Sequence, residues 1–189
     1  LKKLYKKKDL IFFSLEYEEL LNINKFKSKE LFNIHFSLLP KYRGCHTTYY
    51  QIKNGEKKIG VTLHKIDKGI DTGDIIDKKS FKVFLNSTAY ENYLKLLDNS
   101  IILFKKNINK ILKNRYITKK QNLKKGSYFS KKSVNYKKIS NFKKINNNLD
   151  THNKIRSLIF QPFQLPMYNG NKIKKTIFKN RKIKLLYTK

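Results

Sequence analysis

One cysteine, Cys45, stands in 189 residues, so no internal disulfide framework can hold the chain. No apolar run approaches the roughly 20 residues that a membrane-spanning helix needs. No segment with a basic start, an apolar middle and a small-residue cleavage site opens the sequence, and a reducing cytoplasm is the expected compartment. Arginine is scarce too: of 44 basic residues only Arg43, Arg115, Arg156 and Arg181 are arginine. Acidic residues number 13, which leaves a net charge of +31. That balance first suggests nucleic acid or an anionic membrane surface, because basic clusters gain affinity by releasing counterions from phosphates. The arginine shortage argues the other way, since nucleic-acid sites favour the planar guanidinium fork for bidentate contacts. Lysine is diffuse and no RNA-binding signature is present. The accompanying Asn, Ile, Tyr and Phe are what codons rich in A and T encode, so coding bias could supply most of the charge without selection for RNA. Neither membrane nor nucleic acid is the expected partner; a non-enzymatic basic RNA-binding module stays as a rival reading. Glycine is also sparse, and five of the seven (Gly44, Gly55, Gly60, Gly69, Gly73) crowd between residues 44 and 73, where sharp turns and close backbone approach are to be expected.

What is present suffices for a core. Hydrophobic residues make up 39% and aromatics 13%, too apolar for general disorder, and the length suits one domain with a short appendage. Asp9 to Phe13 and Leu31 to His35 read as short buried strands, with the EYEELL segment between them as a helical turn. Two strands joined through a helical link point to a parallel α/β unit. Residues 36–44 form a loop punctuated by Pro40 and Gly44, and His46 to Lys53 reads as a helix that stops at Asn54-Gly55. Lys58 to Ile66 alternates like a strand. The DKGIDTGD segment, Asp67 to Asp74, is a loop leading to another strand at Ile75 to Val83. Thr88 to Leu112 is a helix opened by a Thr88/Glu91 capping box, with Tyr90, Leu94, Leu97, Ile101, Phe104, Ile108 and Ile111 as its apolar stripe. A second helix near Asp150 to Phe160 starts at Asp150 or Thr151, and Asn169-Gly170 is a two-residue hairpin turn. There is no internal repeat.

The residues with chemistry lie around the second strand. Positions i and i+2 share a strand face, so Asn33 and His35 project together toward the cleft beyond the strand's carboxyl end, where open α/β sheets bind ligands. Asp71, on a glycine-bounded turn, can reach the same cleft. An amide, an imidazole and a carboxylate suit transfer of a formyl group to an amine without a covalent intermediate. Asn33 and a protonated His35 would hold the developing oxyanion. Asp71 would keep His35 cationic and, through water, help take the amine's proton. From spacing alone the bland alternatives stand beside this one: a hydrogen-bonding Asn or His at a strand end, and an Asx-turn aspartate.

The run N-x-H-x-S-L-L-P-x-Y-R-G (Asn33 to Gly44), followed by D-x-G-x-D-T-G-D (Asp67 to Asp74), resembles the 10-formyltetrahydrofolate-dependent formyltransferases. That group contains the glycinamide ribonucleotide, methionyl-tRNA and nucleotide-sugar N-formyltransferases. The resemblance implies a partial Rossmann-like α/β sheet with flanking helices and a short C-terminal β-hairpin region. It makes Asn33, His35 and Asp71 the catalytic trio. Ser37, Leu38, Leu39, Pro40, Asp67, Gly69 and Ile70 would border the pocket for 10-formyltetrahydrofolate, and a cis bond is expected at Leu39-Pro40. GCHTTYYQIKNG, KGSYFSKKS and IRSLIFQPFQLP look like the dTDP-amino-sugar N-formyltransferases, and the similarity runs from about Asp9 to Lys179. It implies a nucleotide-linked 3- or 4-amino-deoxysugar as acceptor, met by Lys41, Arg43, Tyr128, Phe160, Gln161, Phe163 and Gln164. For the last four, the alternative is a helix end packing on a hairpin.

The same resemblance divides the chain into the C-terminal part of a catalytic domain (1–125) and a short C-terminal region (126–189). Since the family begins with several dozen residues before the segment matching Asp9, Leu1 is expected to start a fragment. A homodimer is left open. A methionyl-tRNA formyltransferase fragment is the nearest alternative. Those enzymes read G-A-A-P after the arginine and continue into a barrel, whereas this chain has Gly44-Cys45-His46-Thr47-Thr48. No metal is expected: His35, His46, His64, Cys45 and Asp71 fit no tight zinc spacing, and the adjacent Cys45 and His46 would not face one way on a helix. Cys45 with His46 beside it is poorly arranged as a nucleophile and base.

Overall fold

Strand-forming runs set the first half of the molecule and a capped helix with hairpins the second. The computed structural model describes residues 1–17, 19 and 21–188. In chain order the elements are α1 (Lys2–Tyr5), β1 (Ile11–Leu15), β2 (Glu30–His35), β3 (Arg43–Gly44), α2 (Thr47–Lys53), β4 (Lys58–Lys65), β5 (Ile75–Lys82), α3 (Ala89–Leu112), β6 (Tyr128–Phe129), α4 (Tyr136–Ile139), β7 (Asn141–Phe142), α5 (Leu149–Leu158), β8 (Met167–Tyr168), β9 (Asn171–Lys179) and β10 (Lys182–Tyr187). The helical turn expected over residues 16–21 includes residues 18 and 20, which lie outside the described ones.

Two compact units result: Leu1–Gly44, Gly60–Ser80 and Leu97–Tyr128 form the first, and Cys45–Ile59, Phe81–Leu96 and Phe129–Lys189 the second. The first unit carries most of a four-stranded sheet in the order β1-β2-β4-β5. β1 and β2 are parallel, in the register Phe13↔Phe32, as the α/β reading anticipates. β4 then returns antiparallel to β2, in the register Asn33↔His64 and His35↔Thr62, so the sheet is mixed. Phe32, Ile34, Phe36, Val61, Leu63 and Leu103 are buried. Phe13 stacks on Phe32 at 5.1 Å and meets the edge of Phe104 at 5.0 Å.

The capping box forms as expected: Thr88 N donates to Glu91 Oε2 at 2.8 Å and Glu91 N to Thr88 Oγ1 at 3.1 Å. The apolar stripe forms only in part: Ile111 is buried and Tyr90, Leu97, Phe104 and Ile108 are half-buried. α3 buries Asn92, Leu96, Ser100, Leu103, Asn107 and Ile111, while Leu94 (42%) and Ile101 (51%) are exposed. The polar members of the buried row bond within their surroundings. Asn92 Nδ2 donates to Thr88 O and Ser87 Oγ, and Asn107 Nδ2 to Leu103 O and Asp77 Oδ2. A polar group is tolerated in a buried position where it finds hydrogen-bond partners, so counting apolar residues alone shifts the face. Thr88→Ala removes half of the capping box; we expect a loss of about 1 kcal/mol, read as a lower urea midpoint with an unchanged slope.

In the second unit Ile155, Ile159 and Ile173 form a core lined by Phe142, Ile145, Leu165, Tyr168 and Leu185. α5 is capped by Asn148, whose side chain accepts from Thr151 N at 2.8 Å, two or three residues earlier than the expected Asp150 or Thr151. Its buried Arg156 donates to Ser87 O at 2.9 Å and Asn153 Oδ1 at 2.8 Å. The last sheet runs β10-β9-β8-β7. Asn169 and Gly170, with φ of 48° and 76°, make the expected turn. A second hairpin joins β9 to β10 through Asn180 and Arg181, both left-handed; arginine is no turn signal, so the sequence conceals it.

Candidate functional site

Asn33 and His35 occupy one face of β2, and the antiparallel return of β4 places His64 directly across from Asn33. The segment after β4 doubles back at once. An added Cβ on Gly73 would lie 1.9 Å from Lys65 O, so only glycine permits this approach. Asp71 in the same turn has φ of 53°, a left-handed conformation that aspartate tolerates better than most residues.

This path carries the Asp71 carboxylate onto the β2 face. Asn33 Nδ2 donates to Asp71 Oδ1 at 3.2 Å, and Gly44 N donates to Oδ2 at 2.8 Å. His35 Nδ1 stands 3.5 Å from Oδ2 and His64 Nε2 3.5 Å from Oδ1. The expected trio is therefore brought together, with His64 as a fourth member. His64 is 2% exposed, and sequence reasoning considered it only for a metal. A carbonyl can only accept, so His64 Nδ1 donates to Lys65 O at 2.7 Å and His35 Nε2 to Tyr42 O at 2.7 Å. Asn33 Nδ2 lies 3.3 Å from His64 Nε2.

Burial pushes the Asp71 carboxyl upward, but His35, His64 and the Gly44 amide outweigh it and hold the pKa at about 2. Asp71 is thus ionised at neutral pH. Burial lowers the His35 pKa below its ordinary value, and Asp71 and the Tyr42 carbonyl only partly restore it. The expectation of a cationic His35 is corrected accordingly: desolvation of a buried imidazole exceeds the attraction of one carboxylate at 3.5 Å.

The loop after β2 is stitched to β4. Thr62 Oγ1 donates to Ser37 O at 2.6 Å and accepts from Leu39 N at 3.1 Å, and Ser37 Oγ donates to Lys41 O at 2.7 Å. The Leu39-Pro40 bond is cis. Leu38 is half-buried, Leu39 buried and Lys41 exposed. Arg43 Nε is buried with no hydrogen-bond partner among the described residues, and Tyr128, on β6, is exposed. Asp67 makes an Asx turn, accepting from Gly69 N at 3.1 Å and Thr72 Oγ1 at 2.6 Å; Ile70 in the same loop is half-buried.

Phe160, Gln161, Phe163 and Gln164 belong to the second unit. Phe160 packs against Tyr90 and Tyr93, Gln164 Nε2 donates to Leu158 O at 3.0 Å, and Phe163 is 82% exposed. Gln161 precedes a second cis proline, Pro162. Cys45 and His46 also lie in that unit, where His46 Nε2 donates to Lys131 O at 2.9 Å and Nδ1 accepts from Tyr136 at 3.0 Å.

A mixed α/β sheet with an amide, two imidazoles and an ionised carboxylate gathered on one strand face describes a site for proton and acyl chemistry. Residues 18–108 match the formyl transferase family model. The sugar 3N-formyl transferase WlaRD, solved in the presence of dTDP and 5-N-formyl-THF, is 45% identical with a TM-score of 0.89, covering 95% of this chain and 65% of that one. The N-formyltransferase from Helicobacter canadensis, solved with folinic acid and dTDP-3-aminofucose, shares that identity and TM-score and covers 95% and 66%. The bifunctional polymyxin resistance protein ArnA of Wigglesworthia glossinidia brevipalpis is 42% identical over 114 residues, 59% of this chain and 17% of that protein; methionyl-tRNA formyltransferases are also among the curated relatives. Residues 18–108 of the chain are thus a formyl transferase domain. The chain spans less than half the length of these curated relatives.

Proposed function

We propose that the protein transfers a formyl group from 10-formyltetrahydrofolate to the amine of a dTDP-linked amino-deoxysugar. The observation that carries this reading is the convergence of Asn33, His35 and Asp71 within 3.5 Å of one another's polar atoms through the Asp71 carboxylate, inside the segment that matches the family. In this reading the neutral amine attacks the formyl carbon, and Asn33 donates to the oxygen on which charge develops. His35, neutral at rest, takes the amine's proton at Nδ1, and ionised Asp71 steadies the imidazolium so formed. The carbon–nitrogen bond to the folate then breaks as the His35 imidazolium returns that proton to the leaving folate nitrogen, which restores neutral His35.

Residues 37–40 with Asp67, Gly69 and Ile70 border the folate in this account. Lys41, Arg43 and Tyr128 serve the sugar nucleotide. The chemistry resides in 1–125, with 126–189 as the short C-terminal region, and the cytoplasm, where folate cofactors are kept reduced, is the compartment. A 3-amino sugar is favoured over a 4-amino one because both 45%-identical structures concern 3-amino substrates.

The test uses the protein expressed from its complete reading frame with 10-formyltetrahydrofolate and a panel of dTDP-3-amino sugars, dTDP-4-amino sugars and methionyl-tRNA, products being scored by mass. Formylation of a dTDP-3-amino sugar is expected. Formylation of methionyl-tRNA alone would move the protein to the reading represented by its other curated relatives.

A further inference from the structure

The connection after α3 carries few apolar residues and reads as a linker, yet one of its side chains grips the backbone of the Asp71 turn. Gln121 Nε2 donates to Asp71 O at 3.0 Å and to Gly73 O at 2.7 Å. Both acceptors are carbonyls, so the nitrogen of the amide must be the atom that faces them. The neighbouring backbone brings it there: Ile75 N donates to Lys119 O, and Lys119 N to Ile75 O, each at 2.8 Å. On the other flank Lys65 N donates to Asp74 O at 2.9 Å. A residue held left-handed, as Asp71 is, persists only where its surroundings over-determine it, and Gln121 supplies that restraint at the Asp71 peptide itself.

We infer that Gln121 is a positioning residue that holds the Asp71 turn so that its carboxylate stays aimed at Asn33, His35, His64 and the Gly44 amide. This rests on the formyl-transfer reading for its kinetic consequence but not for its structural one. Gln121 touches no reacting group; it acts through Asp71. Displacing a catalytic group by about 1 Å costs on the order of 100-fold in rate, and Asp71 freed of its clamp loses the close Gly44 and histidine partners that keep it ionised.

Two variants test it. Gln121→Ala removes the clamp, and Gln121→Glu keeps its size while turning an oxygen toward two carbonyls that repel it. In both, kcat should fall roughly 10- to 100-fold with KM for both substrates nearly unchanged. The carboxyl-carbon NMR signal of Asp71 should titrate at a clearly higher pH than in the wild type, where its partners hold the carboxyl low. A wild-type kcat in either folded variant, with an unmoved Asp71 titration, would overturn the inference. Should the wild-type protein transfer no formyl group, the titration alone decides: a raised midpoint upholds the clamp while the functional reading falls, and an unmoved one removes both.

Discussion

Replacing Asp71 by asparagine is expected to lower kcat by on the order of 10²–10⁴-fold. Asparagine keeps the size of the side chain, tolerates the left-handed backbone and can still accept from the Gly44 amide, so the turn should survive. What it removes is charge. In the proposed mechanism the carboxylate 3.5 Å from His35 Nδ1 steadies the imidazolium that forms when the amine gives up its proton, a role that a neutral amide does not fill.

The same substitution has a thermodynamic signature. The Asp71 pKa falls from 3.8 to about 2 on folding, which corresponds to about 2 kcal/mol of stability at neutral pH. Because the folded value is the lower one, that contribution is full above the unfolded pKa and disappears as pH falls through the folded one. Urea unfolding between pH 6 and 2 should therefore show the wild type losing about 2 kcal/mol more than Asp71→Asn over this window. Parallel curves would show that the carboxylate is not held as described.

Asn33→Ala is expected to reduce kcat by on the order of 10²–10³-fold, the usual cost of one oxyanion donor. The effect should fall on kcat rather than KM, because the interaction strengthens only as charge develops on the formyl oxygen. Truncation also leaves Asp71 Oδ1 without the amide 3.2 Å away, so a modest loss of stability accompanies it. A variant that raised KM alone would place Asn33 in ground-state binding.

The trio was legible because strand periodicity is local: Asn33 and His35 are two apart on a buried strand, and a glycine-rich run marks the Asp71 turn. His64 was not, because it joins the site through the Asn33↔His64 register, which depends on β4 pairing antiparallel to β2 rather than continuing the parallel unit. Gln121 was hidden for the same kind of reason, since its partners lie some fifty residues earlier. In α3 the capping box is a local signal and forms as the sequence predicts, while the buried face departs from the apolar stripe because Asn92, Ser100 and Asn107 are buried with hydrogen-bond partners, Asp77 for Asn107 among them. Asp67 and Asp71 show how finely this divides: two aspartates of one loop, one making an Asx turn with Gly69 and Thr72 and the other turned into the site.

The most direct test of the account follows an isotopically labelled formyl group from 10-formyltetrahydrofolate in the protein expressed from its complete reading frame, beside its Asp71→Asn variant. The account requires label on the amine of a dTDP-amino sugar with the wild type and almost none with the variant. Equal labelling by the two proteins, or none by a well-folded wild type across both 3- and 4-amino acceptors, would contradict it.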